Sequence, residues 1–172
     1  MGWLAYIGLS AVGVAVAGAA VFVIGMRTKN GVVQRAVMGF TKSVANPRTV
    51  RSAGTPGASA ALVRNVGRSS GRVYETPVGA VAVDDGFLVS MPYGTRPNWL
   101  RNVLAAGGGT LVHEGVAHRV DRPEIVPLGP VAHAFGPSDQ MLHRVFGVNQ
   151  VLRLRLADAE SADGAKTMAD AA

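Results

Sequence analysis

VAVDDGFLVSMPYGTRPNWLRNVLAAGGGTLVHEGVAHRV, residues 81–120, runs from strand to helix and back to strand, and that order decides the fold. Asp84-Asp85-Gly86 reads as a hairpin turn between the strand ending in VAV and the strand FLVSM. A loop rich in Pro and Gly then leads into a short helix. Thr95 is the expected N-cap, Pro97 falls in the first turn, and Gly107 stops the helix. Trp99, Leu100, Val103 and Leu104 form an apolar face suited to packing on a sheet, and by periodicity Trp99 fits core packing. Asn98, Arg101, Asn102 and Ala105 point elsewhere. The i, i+4 spacing of Asn98 and Asn102 puts two amides on one face, which neither capping nor core packing requires. GTLVHEGVAHRV then supplies two strands around Glu114-Gly115.

The pattern extends in both directions. Upstream, ASAALVRNVG reads as a strand through Val66, RSSG as a turn, and RVYETPVGAVAV as one strand whose Pro77 suggests an edge or a bulge. Downstream, RPEIVPLGP reads as extended and PSDQMLHRVFG as a short helix capped by Ser138. In NQVLRLRLA, Leu152, Leu154 and Leu156 alternate with Arg153 and Arg155, as in a half-buried strand. About six strands with short helices imply a mainly β domain over residues 60–157, and a small antiparallel barrel closes the edges of such a set. The Ala- and Asp-rich stretch 158–172 reads as a disordered tail.

The chain has 172 residues, and its mean hydropathy of +0.24 is high for a single soluble domain. The excess lies in residues 1–26, which carry no charged side chain. About 20 apolar residues cross the hydrocarbon core of a bilayer, so this run predicts one N-terminal transmembrane helix. A cleaved signal peptide would call for a basic stretch ahead of the apolar run, and none is present. Arg27, Lys29 and Arg35 follow the run. The positive-inside rule therefore puts the N-terminus outside and the domain on the cytoplasmic face of the cell membrane. Residues 27–59 read as a basic juxtamembrane segment, with a helix from about Val32 to Val44 and a linker over 46–59. Glu75 is the first acid, so the N-terminal half is strongly basic. That suits anionic headgroups of the lipid bilayer or an anionic ligand. Nucleic acid is not indicated, because aromatic content is 6% and no recognition motif accompanies the charge. The absence of Cys excludes disulfides and thiolate metal sites.

Two stretches carry chemistry. In NVGRSSGRVYETP, residues 65–77, Arg68 and Arg72 flank Ser69 and Ser70 in a glycine turn, a donor set suited to an anion. In SMPYGT, residues 90–95, Ser90, Tyr93 and Thr95 lead to a helix N-terminus whose open amides favour phosphate. His113 and His118 flank a tight turn, but two histidines without a third ligand make a poor metal site, and no metal is expected. No P-loop, GxGxxG or local Ser-His-Asp signature occurs, and His133 and His143 have no carboxylate partner evident in the sequence.

GRSSGRVYETPVGAV, DDGFLVSMPYGTRPNWLRNVLAAGGGTLVHEG and LHRVFGVNQVLRLRLA together resemble the deazaflavin-dependent nitroreductase and quinone reductase family of actinobacteria, over about residues 60–157. The resemblance implies a split β-barrel of the FMN-binding-like kind and coenzyme F-420 (8-hydroxy-5-deazaflavin), with FMN or haem as weaker alternatives. It implies hydride transfer to a lipid quinone, a nitro-compound or another small acceptor. Ser90, Met91, Pro92, Tyr93, Gly94 and Thr95 would line the phosphate side of the cofactor, with Trp99 and Asn102 beside it. Arg68, Ser69, Ser70 and Arg72 would meet the anionic tail, and Tyr93 is the candidate catalytic hydroxyl. Family members often carry a lysine in the basic turn, where this chain has Arg and Ser. Many also have no membrane span. The added run 1–26 suits either a membrane-anchored oxidoreductase or a non-catalytic accessory subunit of a quinone-linked respiratory membrane complex.

Overall fold

The computed structural model describes residues 17–25, 27–28, 31–32 and 50–158. Its body is one antiparallel sheet. The strands are β1 (Ala61–Val66), β2 (Val73–Val78), β3 (Ala80–Val83), β4 (Gly86–Ser90), β5 (Gly108–His113), β6 (Val116–Pro127) and β7 (Gln150–Leu156). Their spatial order is β2-β1-β5-β6-β7-β4-β3. The two edge strands, β2 and β3, are therefore consecutive in the chain, with only Gly79 between them. Two edges joined by one residue cannot lie far apart, so the sheet must curl into a half-barrel. The Ser90 amide donates to the Gly79 carbonyl at 2.8 Å and pins the seam.

This corrects the reading of RVYETPVGAVAV as one strand. The alternation of side chains continues through Gly79, so nothing in it announces a change of partner. Pro77 sits on edge strand β2, paired with Leu62, where a missing N–H can be tolerated.

Inside the curl, Ala61, Val63, Val78, Phe87, Val89, Met91, Leu111, Val120, Leu152 and Leu154 form the core. Helix α1 (Asn98–Ala106) closes it with Leu100 and Val103. A second cluster of Leu88, Phe135 and Val151 lies on the outer face. It is covered by α2 (Leu128–Val131) and a 3-10 turn (Ala132–Ala134). Burial on both faces explains why Phe87-Leu88-Val89 is an unbroken apolar run. The LGP segment, read as extended, is instead the start of α2, from which Leu128 and Val131 pack on this outer cluster. Helix α3 (Pro137–Phe146) precedes β7. Asp85 in the β3–β4 turn accepts two bonds from Arg153 of β7, at 2.8 and 2.9 Å, and ties that hairpin to its neighbour.

Gly107 ends α1 at φ 70, as expected, but both expected caps fail. Pro97 occupies the N-cap of α1 and Gly136 that of α3, and neither helix has a side-chain cap bond. The proline at N1 of α3 fixes the helical φ without a capping hydroxyl. The end of the stretch read as a linker is held to the domain: the Gly57 amide donates to Glu114 Oε2 at 2.8 Å, and the Gly115 amide to the Gly54 carbonyl at 2.6 Å.

Among the described residues no helix is long and apolar enough to cross a membrane. Residues 17–25 are helical, and Phe22 meets Phe146 edge-on at 5.9 Å. The rest of the expected span, most of the juxtamembrane helix and the tail after Asp158 lie outside the described residues.

Candidate functional site

The β1–β2 turn is built around Gly67. Its amide donates to the Arg72 carbonyl at 2.8 Å, and its carbonyl accepts from the amides of Ser70 and Gly71. A Cβ on Gly67 would stand 2.5 Å from Ser70 Oγ and 2.6 Å from Tyr74 Cε2, so any larger residue here would make those two side chains swing aside. Ser70 Oγ also lies 3.2 Å from the Tyr74 hydroxyl.

A polar chain joins this turn to α1. Asn102 Oδ1 accepts from Arg68 Nη1 at 2.9 Å and from the Arg68 amide at 3.3 Å. Asn102 Nδ2 donates to Asn65 Oδ1 at 2.8 Å. The orientations are forced in sequence. A guanidinium only donates, so Asn102 must turn its oxygen to Arg68, and Asn65 must then turn its oxygen to Asn102. Asn65 and Asn102 are 4% and 5% exposed, and Asn65 Nδ2 is buried without a partner. Asn102 thus lies on the packed side of α1, whereas Leu104, expected on the apolar face, is 37% exposed. The amide is the more deeply buried of the two because its hydrogen bonds are made inside the fold.

Between turn and helix opens a cleft of about 580 Å³. Arg68, Ser69 and Ser70 border it on the turn side, Glu75, Thr76 and Pro77 on β2, and Pro97, Asn98, Trp99 and Asn102 at the start of α1, with Tyr93 from the loop. Glu75 faces Arg64 at 2.7 Å, so this acid is already paired. Trp99 does both things proposed for it: one side packs on the core and another lines the cleft. An adjoining pocket of about 100 Å³ is walled by Ser90, Met91, Pro92, Tyr93, Gly94 and Trp99 with the seam residues. Tyr93, Trp99, Pro77 and Pro97 are common to both spaces.

The residues expected at the site therefore divide. Arg68, Ser69, Ser70, Tyr93, Trp99 and Asn102 meet at the cleft, while Ser90, Met91, Pro92 and Gly94 line the adjoining pocket. Arg72 and Thr95 are exposed and border neither space. Met91 is mostly buried in the core. His113 and His118 pack on Phe87, at 5.5 and 5.0 Å between rings, and among the described residues no cluster of potential ligands could hold a metal.

Sequence reasoning missed the wall from β2, and it missed Asn65 and His143. Asn65 carried a usable signal: it is the polar break in the inward series Ala61, Val63, Asn65. His143 is 4% exposed, with Nε2 at 2.8 Å from Ser90 Oγ. Its ring meets Phe135 edge-on at 4.7 Å, and Nδ1 has no partner. Burial pulls its pKa below the usual histidine value, partly opposed by Asp139.

The donor set tests whether F-420 fits. An anionic tail needs cationic and hydroxyl donors, present in Arg68, Ser69 and Ser70. A planar ring system needs an apolar slot, present between Trp99, Pro77 and Pro97. The volume lies in the usual range for small-molecule sites. No curated protein matches the sequence significantly. Residues 37–121 match the family model described as F-420H(2)-dependent quinone reductase, which supports the deazaflavin-dependent quinone reductase family for this chain and coenzyme F-420 as its cofactor.

Proposed function

We propose that this protein is a membrane-anchored reductase that uses F-420 to reduce a lipid quinone or a nitro-compound. The observation that carries the reading is the two-ended cleft, with Arg68, Ser69 and Ser70 at one end and Trp99, Pro77 and Pro97 at the other. When bound, F-420 supplies the hydride, and the chain's own task is binding, orientation and exclusion of water. Arg68 would neutralise the anionic part. Its guanidinium is held by Asn102, so little freedom is lost on binding. Trp99 and the two prolines would keep water from the ring system, and the Tyr93 hydroxyl would donate to an oxygen of cofactor or acceptor.

Cofactor binding is measured on the detergent-solubilised full chain by F-420 fluorescence. Arg68→Gln removes a charge-assisted contact of about 1.5–3 kcal/mol, so affinity should fall at least about tenfold and lose salt sensitivity. Turnover is followed with a menaquinone analogue. Unchanged affinity on Arg68→Gln would overturn the assignment of the anion end, and absence of both binding and turnover would overturn the function.

The membrane placement is supported by the uncharged run 1–26 and by Arg27, Lys29 and Arg35 after it. With no native cysteine, single introduced cysteines report topology directly. A cysteine placed after Asp158 should resist an impermeant reagent on intact cells. Labelling there would overturn the orientation.

A further inference from the structure

We propose that His143 is a positioning residue that fixes the Ser90 hydroxyl as a hydrogen-bond donor to a carbonyl oxygen bound in the pocket beside the cleft. Ser90 belongs to that pocket and His143 lies behind it, on α3, outside the matched residues 37–121. The pair is short, at 2.8 Å, and the imidazole is buried on Phe135. Besides Ser90 and Phe135, the charged group that acts on the ring is Asp139, on the same helix. Desolvation keeps the ring neutral, so it carries one proton and has two places to put it.

The unpartnered Nδ1 decides between them. With the proton on Nδ1, a buried N–H would have no acceptor, the costlier kind of orphan. With the proton on Nε2, His143 donates to Ser90 Oγ and only a lone pair is left unpaired. Ser90 Oγ then accepts from behind, and its own hydrogen is free on the pocket side. The pocket thereby selects an acceptor atom. Deazaflavin rings and quinones both offer carbonyl oxygens, and the hydroxyl serves either in the same way.

The proposal rests on the reductase reading for its ligand but not for its geometry, so the test has two parts. Nitrogen-15 NMR of the ligand-free full chain in detergent should show His143 protonated on Nε2. The Nδ1 tautomer would overturn the proposal whether or not F-420 binds. In turnover, Ser90→Ala and His143→Leu should each slow kcat by about tenfold to hundredfold. The double variant should be no slower than Ser90→Ala alone, because His143 acts through the hydroxyl. His143→Gln, which keeps a donor N–H, should recover much of the loss and also guards against a misfolded His143→Leu chain. If the F-420 Kd shifts with these changes, the carbonyl is the cofactor's. If Kd holds while KM and kcat for the quinone analogue move, it is the acceptor's. Losses that multiply in the double variant, or no effect of either single change, would overturn the proposal.

Discussion

Asn102 is a buried amide with every polar group engaged, and the consequence of losing it depends on what is left behind. Asn102→Leu frees Arg68 and strands Asn65 Oδ1 in the interior. A buried unsatisfied group costs about 1–3 kcal/mol, so thermal unfolding should shift down by several degrees. F-420 affinity should fall at the same time. The Asn65→Leu, Asn102→Leu double variant removes both partners, so stability should largely return while affinity stays low. Recovery of both by the double variant would show that Asn102 serves the fold alone. His143 gives a second prediction at this scale. Its folded pKa is depressed, so the unfolded chain binds more protons as pH falls through the ordinary histidine range. The contribution of neutral His143 is complete above the unfolded pKa of about 6.5 and is lost below it, until the folded pKa is reached. Denaturant midpoints from pH 7.5 to 5 should therefore decline less steeply in His143→Gln than in the parent chain.

At the scale of elements, α1 shows what periodicity can and cannot say. Leu100 and Leu104 both belong to the apolar stripe, yet Leu100 is 0% exposed and Leu104 is 37% exposed. Leu100→Ala should cost about 2–5 kcal/mol, as deletion in a packed core does, whereas Leu104→Ala should cost much less. Equal melting shifts would contradict the packing described here. The β1–β2 turn makes the complementary point. Gly67→Ala puts a methyl against the exposed side chains of Ser70 and Tyr74, which must swing aside and give up their 3.2 Å contact, while the Arg68 bond to Asn102 is kept. F-420 titration of this variant should therefore show a smaller loss of affinity than Arg68→Gln. β5, β6, β7 and the Gly107 stop were legible because their signals are local: alternation and a left-handed glycine. The caps were not, because proline and glycine at the N-cap positions replaced the hydroxyls that the sequence offered nearby.

For the whole molecule, the antiparallel β character and the place of the inserted helix were readable from the order of strand, turn and helix signals. The exchange of partners at Gly79 was not, because strand pairing is a long-range property and the alternation passes through that residue unbroken. The site was half legible for a similar reason. Arg68, Ser69, Ser70 and Tyr93 sit in turns that announce themselves by composition. β2 follows the turn directly, but only the fold sets it across the cleft from α1, and the histidine behind Ser90 comes from a helix distant in sequence.

That curl leaves almost no slack. One peptide unit at Gly79 spans the two sheet margins, and the Ser90 amide bonded to its carbonyl sits in the wall of the smaller pocket. A guest too thick for this space presses on that strand pair as well as on the loop that carries Tyr93. The Ser90 amide is therefore a built-in strain gauge. A well-fitting ligand should slow its hydrogen exchange, and an oversized analogue that still binds should speed it, so a single backbone proton would rank acceptors by width before any rate of reduction is measured.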